Sequence, residues 1–276
     1  MVIFRSVFDN FLHLRRNGYF LDAAEEFRRY GGTSMNIVNF PDYVYSPEMH
    51  YNKIYRETIA VAREVAEIGL NTVITLGPYP LDYFFFRSAG KNPLESMKAG
   101  IDLAAGLIRE GRADAMGEIG FPHFQVDEDV YDDSGKILEY ALDICSDYDI
   151  PLILHTEDMS PDGYAKIENI IKRHYRVDRV MKHHANSVDL GYPGGILKSL
   201  IASRSNVRVA LESGKDFLLE TDYTDQKEKP GKVIPVYSVP KRCEMIKNSC
   251  ENYDEIFHRI FEEIPYKFYR KEFFNP

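Results

Sequence analysis

Short apolar runs alternate along the chain with longer stretches in which apolar residues recur every three or four positions, a rhythm that predicts strands separated by helices. Residues 2–8 read as a first strand, 21–30 as a helix stopped by Gly31 and Gly32, and 34–39 as a second strand. After a loop rich in Pro and Tyr, residues 53–68 place Ile54, Thr58, Val61, Val65 and Ile68 on one helical face, and a strand over 71–76 is broken by GPYPLD. Helix and strand then alternate over 97–110 and 113–118, 135–147 and 151–155, 164–174 and 177–183, and 193–203 and 206–211, with an eighth strand over 216–222. Helices over 239–249 and 253–263 should cover the outside.

Eight strands in this alternation favour a closed (β/α)8 barrel of the TIM type over an open doubly wound sheet. With no linker-like stretch or shift in composition, residues 1–276 read as one such barrel. No GxGxxG turn follows the first strand, which argues against dinucleotide binding. Only residues 212–215 separate the last two expected strands. That is too short for a crossover helix, so either the barrel lacks the helix between strands seven and eight or one of these strands is misassigned.

Chemistry enters at the strand ends. FDNFLH carries Asp9 and His13, AMGEIG carries Glu118, PLILH ends on His155, VMKHH on His183 and His184, and FLLETD on Asp222. Barrels of this class do their chemistry where strands end, and imidazoles with carboxylates suit a divalent ion: zinc first, then manganese or magnesium. One or two ions are expected. Glu118 would bridge two with its two oxygens, His155 and His184 would hold one, and His13 and Asp222 the other. Asp222 would also accept the proton of an attacking water, which with Glu118 makes up the expected catalytic pair.

A formal net charge of −9 argues against broad nucleic-acid binding but leaves room for a local basic lip of Arg15, Arg16, Arg87 and Lys91 near strand ends. Cys145, Cys243 and Cys250 are scattered and form no CxxC pair, so neither a disulfide framework nor a zinc ribbon is expected. No apolar run approaches the roughly 18–20 residues of a membrane span, and MVIFRSVFDN lacks the pattern of a signal peptide. A cytoplasmic protein without membrane contact is the expectation.

The strings FDNFLHL, GEIG, PLILHTED, KHHAN and LLETD, in this order between residues 8 and 222, resemble the TatD family of metal-dependent hydrolases in the amidohydrolase superfamily. LGPYPLD, GEIGFPHF and ETDYTDQKEKPG are similar to an archaeal branch of that family. The resemblance implies a divalent-metal hydrolase, with relatives that include 3′-to-5′ DNA exonucleases. The family opens with a His-x-His pair on strand one, and here Phe11 stands at the first of these positions while His13 fills the second. Phe cannot ligate a metal, so the ion near His13 should be held weakly or not at all, and His123, in the loop after Glu118, reads as a substitute ligand, a substrate contact or a loop histidine with no ligand role. The family's order of His, a small residue and Asn matches His184-Ala185-Asn186, which makes His184 the expected ligand and His183 the alternative. Asp9 is expected to support the site from behind rather than to ligate. Thr156, Glu157 and Tyr223 follow ligand positions and are candidates for substrate contact.

The leading expectation is therefore hydrolysis of a phosphoester, with nucleic acid as one candidate substrate. The alternatives are a small-molecule ester, lactone or amide hydrolase, and a degenerate hydrolase that only binds. A phosphate should need Arg or Lys beside the ions, a carbonyl much less.

Overall fold

The computed structural model describes residues 6–229 and 233–275. The strands are β1 (Phe8–His13), β2 (Ser34–Val38), β3 (Asn71–Leu76), β4 (Ala115–Gly120), β5 (Leu152–His155), β6 (Val180–Ala185), β7 (Leu197–Ile201), β8 (Leu218–Glu220) and β9 (Tyr223–Thr224). The helices are α1 (Leu21–Arg29), α2 (His50–Glu67), α3 (Asp82–Ser88), α4 (Pro93–Arg109), α5 (Glu128–Tyr148), α6 (Pro161–His174), α7 (Arg204–Ser213), α8 (Ser238–Ser249), α9 (Tyr253–His258) and α10 (Ile264–Tyr269).

All pairings are parallel, in the order β8-β7-β6-β5-β4-β3-β2-β1-β9. Because β8 and β9 are successive parts of one chain segment, that segment joins β7 at its start and β1 at its end. The series closes into the expected (β/α)8 barrel. Parallel strands need crossovers, and amphipathic helices supply them. On α2, for example, Ile54, Thr58, Val61 and Val65 are buried. Helix starts are set locally: the Asn92 side chain accepts from the Glu95 N–H, and Ser160 from the Gly163 N–H, each with Pro as the next residue.

Two expectations need correction. Of the expected first strand, residues 2–5 lie outside the described residues, and β1 begins only at Phe8, so the string FDNFLH is itself the strand. The seventh unit is inverted: β7 occupies the later part of the expected helix 193–203, and α7 covers the expected strand 206–211. The alternation of Val207, Val209 and Leu211 reads as a strand, but Val207 and Ala210 are buried while Val209 is exposed, which is helical spacing. Ser203 starts this helix by accepting the Asn206 N–H, and Gly214 ends it at φ 62°. A helix therefore does join β7 to β8. The crossover without an α-helix lies one unit earlier, between β6 and β7, where only a single 3-10 turn occurs at Asp189–Gly191.

The C-terminal segment closes the end of the barrel where β1 begins, with Tyr269 and Phe274 packing edge-on against Phe8. The Tyr269 hydroxyl enters a buried polar network, donating to Asn10 Oδ1 (2.8 Å) and accepting from Asn36 Nδ2 (3.3 Å). Asn10 donates onward to Ser199 Oγ (2.9 Å), and Asn36 accepts from Thr75 Oγ1 (2.9 Å). Four strands are thus tied to one phenol. Removing it in Tyr269→Phe should cost about 1–3 kcal/mol, because two buried amides lose a partner. Urea unfolding measures this, and an unchanged midpoint would show that the network does not hold the barrel closed.

Candidate metal centre

The centre is built where β1, β4, β5, β6 and the end of β8 converge. Glu118 projects from β4 between two glycines, and the second is required by close packing: a Cβ on Gly120 would lie 2.0 Å from the His155 carbonyl oxygen. That contact brings β4 and β5 together, with the Phe121 N–H donating to the same oxygen at 2.9 Å. Glu118 Oε2 lies 2.8 Å from His155 Nδ1 and 2.8 Å from His183 Nε2, and these two nitrogens are 2.8 Å apart. One carboxylate oxygen and two imidazole nitrogens thus crowd a single point, and Glu118, His155 and His183 form a group able to hold a metal ion. Such an N2O set suits a borderline divalent ion.

The other carboxylate oxygen faces a second set. Glu118 Oε1 is 3.7 Å from His13 Nε2, which is 3.9 Å from Asp222 Oδ1. His13 donates from Nδ1 to the Val38 carbonyl at 3.1 Å, which leaves Nε2 facing Glu118. Phe11 is fully buried beside it, its ring stacked on His183 at 4.0 Å between centroids and 18° between planes. The position expected to lack a ligand is filled by a ring that packs on an imidazole of the other set.

His183, the alternative ligand, takes the place expected for His184. The His183 side chain is 3% exposed and sits in the Glu118 group, whereas that of His184 is 47% exposed and bonds through Nδ1 to Asp222 Oδ2 at 2.6 Å. Neighbours on a strand face opposite ways, and only one can point into the barrel. His184 then leaves the strand conformation at φ 50°, matched by φ 46° at Asp222. Side chains seldom adopt this region unless the surroundings hold it. Here the His184 N–H donates to Glu220 Oε1 (2.6 Å) and the Asp222 N–H to the Phe11 carbonyl (2.9 Å).

Behind this layer sit two carboxylates: Glu220, which sequence reasoning missed, and Asp9, which it expected to support the site. Glu220 is wholly buried, with Oε1 3.5 Å from His183 Nδ1. Its signal was present in LLETD, where residues 220 and 222 share one face of a strand. Asp9 touches neither imidazole. It accepts from the Thr221 N–H (2.9 Å) and hydroxyl (2.7 Å), tying β1 to the residue before Asp222, and burial pushes its pKa up to about 8. His123 reaches inward from its loop, with Nδ1 3.3 Å from His155 Nε2, and so lies on the His155 side rather than beside His13.

Burial penalises every charge here, and the groups answer it pairwise. Glu118 would be raised by burial, but His183 and His155 hold it well below the usual carboxylate range. Burial opposes charge on His183, yet Glu118 and Glu220 lift its pKa to about 10. Burial keeps His155 low against the pull of Glu118. Without an ion, then, the group holds its proton on His183.

A cavity of about 500 Å³ opens above the centre. Thr156 and Glu157 line it, as does Tyr79, whose ring stands edge-on to His155 at 5.2 Å. Tyr223 is buried against Asp225 instead. None of the expected basic lip reaches the lining, and each member is paired with an acid elsewhere: Arg15 with Asp42, Arg16 with Glu64, Arg87 with Asp129 and Lys91 with Glu48.

Comparison with known proteins places these features in context. A family model described as TatD related DNase matches residues 8–270. An uncharacterized protein of Methanocaldococcus jannaschii is 27% identical over 246 residues, 85% of each chain. A TatD-like protein from Archaeoglobus fulgidus shares the fold with a TM-score of 0.66 at 19% identity, covering 96% of this chain and 100% of the other. A TatD homologue from Escherichia coli gives 0.63 at 18% identity, covering 98% and 100%. A phosphotriesterase homology protein from the same organism, with phosphate in its active site, gives 0.61 at 14%, covering 96% and 99%.

Because His183 holds a proton up to about pH 10, ion binding must displace it. Apparent zinc affinity should therefore rise about tenfold per pH unit between about pH 6 and 9. Calorimetric titration across that range measures the slope, and a flat response would remove His183 from the ligand set.

Proposed function

Since the chain belongs to the TatD related DNase family, we propose that it is a divalent-metal-dependent hydrolase whose principal ion is held by Glu118, His155 and His183. The observation that carries this reading is the convergence of their three donor atoms at 2.8 Å from separate strands. When bound, the ion would lower the pKa of a water molecule and polarise the bond under attack. Asp222 is placed to act as general base toward an attacking water, and His184 at 2.6 Å holds its carboxylate in place. His13, its Nδ1 fixed on Val38, presents Nε2 to the second oxygen of Glu118. Phe11 leaves this second position short of a ligand, so a second ion would be held weakly.

The family description makes a phosphoester the first substrate class, DNA included, and an exonuclease assay belongs in any test. Hydrolysis of a small ester, lactone or amide is the second reading. One observation favours it: among the described residues, no Lys or Arg lines the cavity.

Two substitutions test the assignment. Asp222→Asn keeps the shape but loses the charge, and should lower kcat by about 10²–10⁴-fold after metal loading, with little change in thermal stability. Equal turnover would remove Asp222 from the mechanism. Purified protein should carry about one tight ion, and Phe11→His should tighten a second and raise turnover. Metal titration of chelator-treated wild type and variant decides this: two equally tight sites in both would show that the missing imidazole does not weaken binding.

A further inference from the structure

We infer that the cavity between the β6–β7 crossover and the C-terminal segment is a second binding site, for a small organic anion. Its ligand would be a carboxylate or phosphoryl group carried on an apolar or aromatic body. The inference stands apart from the hydrolase reading, and its test needs no turnover.

The cavity follows from the missing helix. In a (β/α)8 barrel the outward side chains of the strands are covered by crossover helices. Between β6 and β7 only a single 3-10 turn occurs, at Asp189–Gly191, so no α-helix of that crossover covers the start of β7. Ser199 points into the barrel toward Asn10, and its neighbour Lys198 therefore points outward, into the gap. Residues 259–268 contribute the far wall, and the space enclosed is about 890 Å³. Asp178 and Asp216 in its lining precede β6 and β8, and Lys198 is the second residue of β7. The cavity thus lies at the strand starts, at the opposite end of the barrel from His155 and Asp222.

Lys198 supplies the reason to expect an anion. It is only 6% exposed, yet among the described residues no carboxylate pairs with it; its ammonium lies 5.3 Å from the centroid of the Tyr164 ring. The acids that act on it are engaged elsewhere. Asp189 accepts the Tyr164 hydroxyl (2.8 Å) and the Asn186 N–H (2.7 Å), and lies 4.0 Å from Lys182. Glu168 is paired with Lys172 at 2.6 Å and accepts the Gly195 N–H at 3.2 Å. Burial, with Lys215 adding like charge, holds the Lys198 ammonium below the usual lysine range despite the pull of Asp189 and Glu168. A buried cation without a counterion is costly, and a bound anion would offset that cost.

The other charges of the lining cancel in pairs. Arg259 bonds to Asp216, Lys267 to Glu263 at 2.6 Å, and Asp178 to Arg176 outside the cavity at 2.6 Å. Lys215 donates to the Leu190 carbonyl and has no acidic partner among the described residues. Two ammonium groups therefore remain for a ligand. Tyr192, Ile196, Ile264 and Phe268 share the lining and offer apolar surface to its body.

The test is calorimetry on full-length protein, zinc-loaded and chelator-treated, with phenylphosphonate, benzoate, inorganic phosphate, benzamide and benzyltrimethylammonium. One equivalent of phenylphosphonate or benzoate should bind whether or not zinc is present, and the tighter of the two identifies the preferred head group. Inorganic phosphate and the two uncharged or cationic probes should bind at least about tenfold more weakly, since each lacks one half of the ligand. Lys198→Met keeps the length of the side chain without its charge. It should weaken the aryl anion at least about tenfold and leave the thermal midpoint of the free protein equal or higher. Lys215→Gln, at an exposed position, should weaken it about threefold and keeps the test decisive if Lys198→Met does not fold. The inference is overturned if neither aryl anion binds without zinc, or if both variants bind as wild type does. Equal affinity for benzamide, benzyltrimethylammonium or inorganic phosphate would overturn it as well.

Discussion

A carboxylate with almost no access to solvent must be surrounded by positive or proton-bearing partners, and Glu118 sets that requirement for the whole centre. Two imidazoles answer on one oxygen and His13 faces the other. Each of these partners comes from a different strand. Satisfying one carboxylate therefore fixes the relative heights of β1, β4, β5 and β6. The small residues around it follow from the same demand, since a side chain at Gly120 would force β4 and β5 apart.

The second layer repeats the pattern with opposite sign. Glu220 lies behind His183 as Glu118 lies in front of it, so this imidazole is held between two carboxylates. Phe11 supplies the remaining contact by stacking on the ring. At the position expected to carry a ligand, Phe11 thus orients His183 through its ring. Two residues at φ near +50°, His184 and Asp222, bring their side chains together at the rim, and the hydrogen bonds on their N–H groups hold that backbone in place.

Charge on the surface follows a different logic from charge in the centre. Arg15, Arg16, Arg87 and Lys91 are each paired with an acid outside the cavity, while Glu157 and Asp158 belong to its lining. A net charge of −9 gives no long-range attraction for a polyanion, so any that bound would depend on local groups. Membership of a family described as TatD related DNase speaks to the fold and to the chemistry its members share, while the side chains around the cavity differ from chain to chain.

From the sequence alone, the alternation of strand and helix was legible, as were the barrel and the approach of Glu118, His155 and the β6 histidines to a single rim. Those features depend on local periodicity and on the rule that strand ends share a face, and both are written in neighbouring residues. The β7–α7 unit was not legible, because Val207, Val209 and Leu211 fit a strand as well as a helix until burial chooses between them. The choice of His183 over His184 likewise hung on a single φ angle at a strand end, set by a hydrogen bond to Glu220, a residue 36 positions away. Glu220 and Tyr79 acquired meaning only when the barrel closed. Their contacts cross between strands and loops, and the identity of a residue does not say which distant atom it will meet.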